Sequence, residues 1–459
     1  MIQLNPDTSA APAGTRDEYI IGRGAAWFAF AMTMGLMLFD YIDRQVIVSL
    51  FPYLKAEWAL SDKQLGLLVS VVSVTVALGG LPVALLADRY SRVKSIVAMA
   101  LAWSLATISC MFTRSYAPLF TARAVVGLGE AGYGSVGAAL IASVFPVRLR
   151  SALLSAFFAA ASVGSVLGVL LGGVIAARWG WKAAFGVVGI PGLLLALLYL
   201  FVRDYRTVDL TPQLTRATHT PGNALKHIIG VLARTRTLLW VCAGAAVQLI
   251  VVSAVWAWLP SYLNRVHGIA PEQAAIKAAL VVLCGAVGTV VWGAVADRRG
   301  AVRPRLKLHA VAIVCVATTL VLLPTFGAHA AGIALAPQAQ FALIALGGFL
   351  MTCSVGPASA VVIDVAHPGV RATGAAVLSL FQNLFGLAIG PFLAGALSDA
   401  FGLESALTAI SVLGIVSALL FVGAARSYEN DMQRFGEVRV ESGSADAGAH
   451  GSTALEEVR

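Results

Sequence analysis

The stretch FDYIDRQ, Phe39 to Gln45, sets Asp40, Asp43 and Arg44 inside a run otherwise apolar enough to cross a bilayer. A second such run carries Arg123 and Glu130, seven residues apart and so on one helical face two turns apart. Ionisable groups at membrane depth are costly, and those that persist face a cavity or one another. Two carboxylates beside two guanidiniums are suited to reversible proton binding. A carboxyl's proton affinity depends on its burial and on its cationic neighbour, so Asp43 and Glu130 would bind and release protons as movement exchanges their pairing with Arg44 or Arg123. The alternative is a static ion pair that aligns two helices. Asp40, four residues before Arg44, reads as an orienting i,i+4 partner or as a solvated group. The first-span charges are expected near its outer half. The second half of the chain has nothing comparable except Asp364, and its candidates for a cavity wall are Gln248, Trp256, Trp258, Gln382 and Asn383, because polar amides need internal partners in hydrocarbon.

These residues must be positioned by membrane helices. Hydrophobic residues make up 59% of the 459-residue chain and charged ones 12%, against about 25% charge in a soluble domain. A helix crossing the hydrocarbon core needs about 20 apolar residues, and twelve such stretches are predicted: 24–50, 64–87, 95–113, 116–145, 150–177, 182–202, 236–263, 273–296, 308–326, 339–364, 371–398 and 404–425. The fold class is therefore an all-α membrane protein of twelve transmembrane helices in two pseudo-symmetric six-helix halves. The halves, 24–203 and 236–425, are framed by an N-terminal segment 1–23, a linker 204–235 containing Pro212, Pro221 and Gly222, and a tail 426–459. The tail's polar composition predicts disorder, and 223–233 reads as plain basic linker or a short surface helix.

Two matching cassettes support the duplication. ALLADRYSR, Ala84 to Arg92, and GAVADRRG, Gly293 to Gly300, each close an apolar run, with Asp88 and Asp297 lying 209 residues apart. Self-similarity at this period implies two copies of one bundle, an architecture suited to moving a solute across a bilayer. Asp88, Arg89 and Arg92, with Asp297 and Arg298, are read as gate and latch residues that bridge span ends. Gly164, Gly168 and Gly172 after Arg150 are matched by Gly386, Gly390 and Ala394 after Arg371, small residues that let helix backbones approach closely.

With the N-terminus inside, 23 basic residues fall on the cytoplasmic side and 7 on the other, which obeys the positive-inside rule. Both termini are expected in the cytoplasm, in a cell membrane, with no cleavable signal peptide. Basic residues scattered over short loops do not form a nucleic-acid patch. The five cysteines lie singly, so no disulfide or metal site is expected. No GxxxxGK[ST] cradle is present, and no cofactor or enzymatic site is expected. A channel is less favoured than a carrier.

The ordered motifs YIDRQ (Tyr41 to Gln45), QLGLL (Gln64 to Leu68), ADRYSR (Ala87 to Arg92), WSLAT (Trp103 to Thr107), GLGEAGY (Gly127 to Tyr133) and GIPGL (Gly189 to Leu193) resemble the Spinster-like transporters of the major facilitator superfamily. The second half is similar to the superfamily in features such as its ADRRG cassette. The resemblance implies alternating access, proton coupling at Asp43, Arg44 and Glu130, and an amphipathic cavity for lipid-like or amphiphilic solutes. Arg44, Arg123, Tyr41, Tyr133, Gln248 and Asn383 are the expected substrate-cavity residues, and the partners are a small molecule, protons and the bilayer, with the chain a monomer. The alternative substrate is a small organic anion clamped by Arg44 and Arg123 as bidentate donors.

Overall fold

The computed structural model describes residues 19, 21–204, 235–328, 333, 335–365 and 371–449, and no strand occurs among the described residues. Twelve helices are long and apolar enough to span a membrane. They are α1 (Arg23–Trp58), α2 (Asp62–Arg89), α3 (Arg92–Cys110), α4 (Tyr116–Val144), α5 (Val147–Trp179) and α6 (Trp181–Phe201), then α7 (Arg236–His267), α8 (Pro271–Val302), α9 (Pro304–Gly327), α10 (Pro337–Asp364), α11 (Gly374–Phe401) and α12 (Leu403–Met432). The linker with its 223–233 segment lies outside the described residues.

The helices depart from expectation in two places that matter. α1 does not stop near position 50 but runs 36 residues through Pro52 to Trp58, ending at Ala59 in the left-handed region (φ 49°). Buried Phe51 and Leu54 keep its apolar face packed past the proline. Asp40, Asp43 and Arg44 thus lie at the middle of α1 rather than near its outer end. At the other terminus the helical piece that begins at Leu413 continues past the predicted span end at 425, to Ala449. Extending an existing helix adds one hydrogen bond per residue fixed, without a new nucleus, and Glu, Gln, Arg and Met in this stretch are good helix formers.

The duplication is visible in the packing. Within the first half α1 packs on α5 and α6, α2 on α4, and α3 on α4 and α6; each pairing recurs six helices later, as α7 on α11 and α12, α8 on α10, and α9 on α10 and α12. The glycine runs explain the closest of these. The carbonyls of Leu38, Ile42 and Val46 occupy the space where side chains at Gly164, Gly168 and Gly172 would stand, and the carbonyls of Ala246 and Ile250 do the same at Gly386 and Gly390. Between halves the contacts are also reciprocal: α2 meets α11, α5 meets α8, and α1 meets α7.

The halves meet at one end of the bundle. At the distal end, which bears the α1–α2, α7–α8 and α11–α12 turns, one apolar core joins both halves and includes Phe51 against Trp258, ring centroids 5.1 Å apart. At the proximal end, where α1 and α7 begin, the core divides into one cluster within each half. A polar lock reinforces the distal seal. Asp62 on α2 receives Arg265 Nη1 of α7 at 2.6 Å and Ser398 Oγ of α11 at 2.6 Å, with Lys55 also paired to it. Asp399 of α11 accepts the backbone N–H groups of Asp62 and Lys63, both at 2.8 Å, placing a carboxylate on the positive end of α2. Beside it, Ser61 and Gln64 complete a reciprocal capping box.

Asp62→Asn removes the charge that holds Arg265 and Lys55 while keeping the helix start. It is expected to raise the labelling rate of a cysteine placed at Phe51, in a cysteine-free background, by roughly ten-fold, because breaking a desolvated pair shifts the balance toward a distal-open state. Unchanged labelling would assign the seal to apolar packing alone.

Candidate functional site

The charge cluster owes its position to small residues. In GLGEAGY, Gly127 lies against Val72 and Thr75 of α2, and Gly129 against the backbone of Trp103 of α3, with no room at either for a side chain. α4 therefore lies close on α2 and α3. Immediately after Glu130 the helix breaks at Ala131 and Gly132, whose φ of 80° a glycine adopts without strain, and restarts at Tyr133. Glu130 thus ends the first segment of α4 and faces Arg44 on α1.

Four charges pair crosswise between the two helices. Arg123 Nη1 donates to Asp43 Oδ1 at 3.2 Å, and Arg44 Nε stands 3.0 Å from Glu130 Oε2. Arg44 Nε also donates to Asp40 Oδ1 at 3.1 Å, the expected i,i+4 contact. Asp43 Oδ2 accepts the hydroxyl of Thr107 on α3, and the Asp43 carbonyl accepts Arg123 Nη1 at 3.4 Å. The side chains of Asp43, Arg123 and Glu130 are 2%, 1% and 0% exposed, whereas that of Arg44 is 17% exposed. Arg44 is the cluster's accessible member, and its guanidinium carbon lies 5.2 Å from the centre of the Tyr41 ring, a cation–π distance. Arg123 keeps two donors, Nε and Nη2, without a partner among the described residues.

Residues 33–386 match the Major Facilitator Superfamily. The chain belongs to this superfamily. It is 25% identical over 397 residues to protein spinster homolog 3 of Danio rerio, covering 83% of this chain and 78% of that one. It is 28% identical over 411 residues to an MFS-type efflux pump of Mycolicibacterium smegmatis, covering 88% and 92%. Its fold matches that of a bacterial homolog to the human lysosomal transporter Spinster, solved inward-facing and unoccupied, with a TM-score of 0.79 at 22% identity over 89% of this chain and 99% of that one. The Spinster-like resemblance read from first-half motifs therefore extends along most of this superfamily member.

Other expected site residues of this superfamily member fall differently. Tyr133 is fully buried and donates to the Thr33 carbonyl at 2.6 Å, beneath Trp103; it ties α4 to α1 instead of lining a cavity in this conformation. Gln248 is buried and donates to the Met351 carbonyl at 2.9 Å, tying α7 to α10. Trp258 is buried too, its indole donating to the Pro391 carbonyl at 3.0 Å. Asn383 sits in a π-helical turn, Gln382–Leu387, and donates to the Ser379 carbonyl at 2.9 Å; such turns are frequent at functional sites. Of the gate residues, the side chains of Asp88 and Arg89 lie outside the described residues. Arg92 donates to Ser143 at 2.8 Å, Asp297 pairs with Lys307 at 2.8 Å, and Arg298 is exposed. Arg92 and Asp297 thus brace helices within their own half.

Two groups of residues escaped the sequence reading. Thr107 lies within WSLAT, but a threonine in a span ordinarily bonds its own helix. Asp62, Arg265 and Asp399 stand at span ends, where charges are commonplace.

Arg123→Gln leaves Asp43 buried without its cation and is expected to lower stability by about 3–5 kcal/mol, whereas Asp43→Asn with Arg123→Gln recovers most of that loss. Thermal unfolding of the single and double variants in detergent checks this. Additive losses would show that the two side chains do not act as a pair.

Proposed function

We propose that this protein is a proton-coupled secondary transporter that carries an amphiphilic or lipid-like small molecule by alternating access. The observation that carries the reading is the crossed pairing of Asp43 with Arg123 and Glu130 with Arg44, in which only Arg44 is accessible. A substrate with a polar or anionic head competes with Glu130 and Asp40 for the Arg44 guanidinium. Once Arg44 turns to the substrate, the buried Glu130 carboxylate is neutralised by a proton, since an unpaired buried charge is too costly to persist. Substrate and proton are thereby linked through one side chain. Asp43, held by Arg123 and Thr107, is the second proton-binding carboxylate and responds to changes transmitted along α1.

Conformation and orientation support the same reading. A bundle sealed distally by Asp62 and Asp399 and divided proximally is one of the two end states that alternating access requires. The distribution of basic residues favours a cytoplasmic proximal end, so this state faces inward, in a cell membrane, with both termini in the cytoplasm and the chain acting as a monomer. The Spinster-like resemblance, which relatives named spinster homolog share, implies amphiphilic solutes. The small-anion alternative asks Arg44 and Arg123 to clamp one carboxylate together. Arg123 is enclosed and committed to Asp43, which favours the amphiphile.

In proteoliposomes, Asp43→Asn and Glu130→Gln are each expected to abolish proton-gradient-driven accumulation while sparing exchange at zero gradient. Arg44→Lys is expected to impair both, because an ammonium lacks the planar fork that meets a carboxylate. Screening lysolipids against small organic acids identifies the substrate. Full gradient-driven accumulation by both carboxylate variants would make the cluster structural.

A further inference from the structure

A groove of about 840 Å³ opens at the proximal end between α7 and α12, far from the charge cluster. Among the described residues it is lined by those two helices alone. α12 packs on α7, α9 and α11 of its own half, and the exposed side chains of Val416 and Leu419 put the groove on the outer side of that helix. Its rim carries Arg236 and Arg426, both exposed, together with Asn430. Neither arginine has an ion-pair partner among the described residues, whereas the nearby acids are committed. Asp431 is buried and accepts the Thr237 backbone N–H at 3.1 Å and the Thr237 hydroxyl at 2.7 Å, and Glu429 pairs with Arg305. Below the rim the walls turn apolar: Leu419 is 65% exposed, Val416 is exposed, and Trp240, lying across Gly423, is 43% exposed. A tryptophan between a basic rim and an apolar wall matches the depth of the membrane interface.

We propose that this groove binds an anionic phospholipid, its phosphate held by Arg236 and Arg426 with Asn430 donating beside them, and an acyl chain laid along Val416 and Leu419. Guanidiniums are suited to phosphate because their planar donor fork engages two oxygens at once. The site lies outside the helices proposed to couple protons, so the lipid fastens α7 to α12 independently of transport chemistry. Each basic residue near an anionic headgroup contributes roughly five-fold in affinity.

The test uses the full chain in detergent, titrated with dioleoylphosphatidylglycerol or dioleoylphosphatidylcholine and followed by native mass spectrometry. The phosphatidylglycerol is expected to bind more tightly, and Arg236→Gln with Arg426→Gln to weaken it about 30-fold, while Arg303→Gln at the same end changes affinity little. Equal affinity for the two lipids, or an unchanged double variant, would overturn the proposal. A photoactivatable phosphatidylglycerol on the unaltered protein supplies a readout independent of folding of the variant: it should label peptides around 236–240 and 416–430, and labelling confined to other helices contradicts the site. Millimolar glycerol phosphate should leave that labelling intact; complete displacement would make the groove a site for soluble phosphate esters and end the lipid assignment.

Discussion

Everything near the centre of this protein follows from the need to bury Asp43, Arg123 and Glu130 with charges matched. A carboxylate or guanidinium taken from water without a partner costs several kcal/mol, so α1 and α4 must stay within ion-pair reach along the stretch that carries them. That requirement explains why Gly127 and Gly129 have no side chains: α4 must press against α2 and α3 for Glu130 to meet Arg44. It also explains Gly164, Gly168 and Gly172, which bring α5 against the opposite face of α1 and leave it little freedom to withdraw. Tyr133, reaching from α4 to the Thr33 carbonyl, closes the same contact immediately after the break at Gly132.

The scaffold is symmetric, and the chemistry is not. The glycine-on-carbonyl packing of α5 against α1 recurs in α11 against α7, and even the contacts between halves are reciprocal. Yet the second half replaces the central ion pairs with a neutral amide, Gln248 on the Met351 carbonyl, and with the π-helical turn around Asn383. Its charged contribution lies at the distal end, in Arg265 and Asp399, which reach the first half at Asp62 and at the start of α2. One half thus holds the ionisable centre while the other supplies the surface that closes over it.

The sequence exposed the central residues because charges in an apolar run stand out, and the paired ADR cassettes disclosed the duplication. Spacing could place Arg123 and Glu130 on one face, but it could not reveal that the pairing is crossed, since this depends on the relative height of α1 and α4. The same limitation hid Thr107, whose hydroxyl points at another helix. Gln248 and Trp258 were legible as polar groups needing partners and Tyr133 only as an expected cavity residue, yet all three meet backbone carbonyls on neighbouring helices. The end of α1 was misplaced because Tyr53, Lys55 and Glu57 dilute its apolar pattern while Phe51 and Leu54 continue its buried face. Asp62 was overlooked because a carboxylate at a helix start is ordinary in sequence, and only the tertiary fold brings Arg265 and Ser398 to it.

The proposed coupling has protonation of the buried carboxylates set which end of the bundle is open. Its most direct test is the distance between spin labels placed on the two halves, one pair at the distal end and one at the proximal end, followed by pulsed electron resonance across a pH series. Lowering pH is expected to shift the population between two discrete distances, in opposite senses at the two ends, and Glu130→Gln together with Asp43→Asn to make the distribution independent of pH. A pH-driven shift that persists unchanged in that double variant would contradict it.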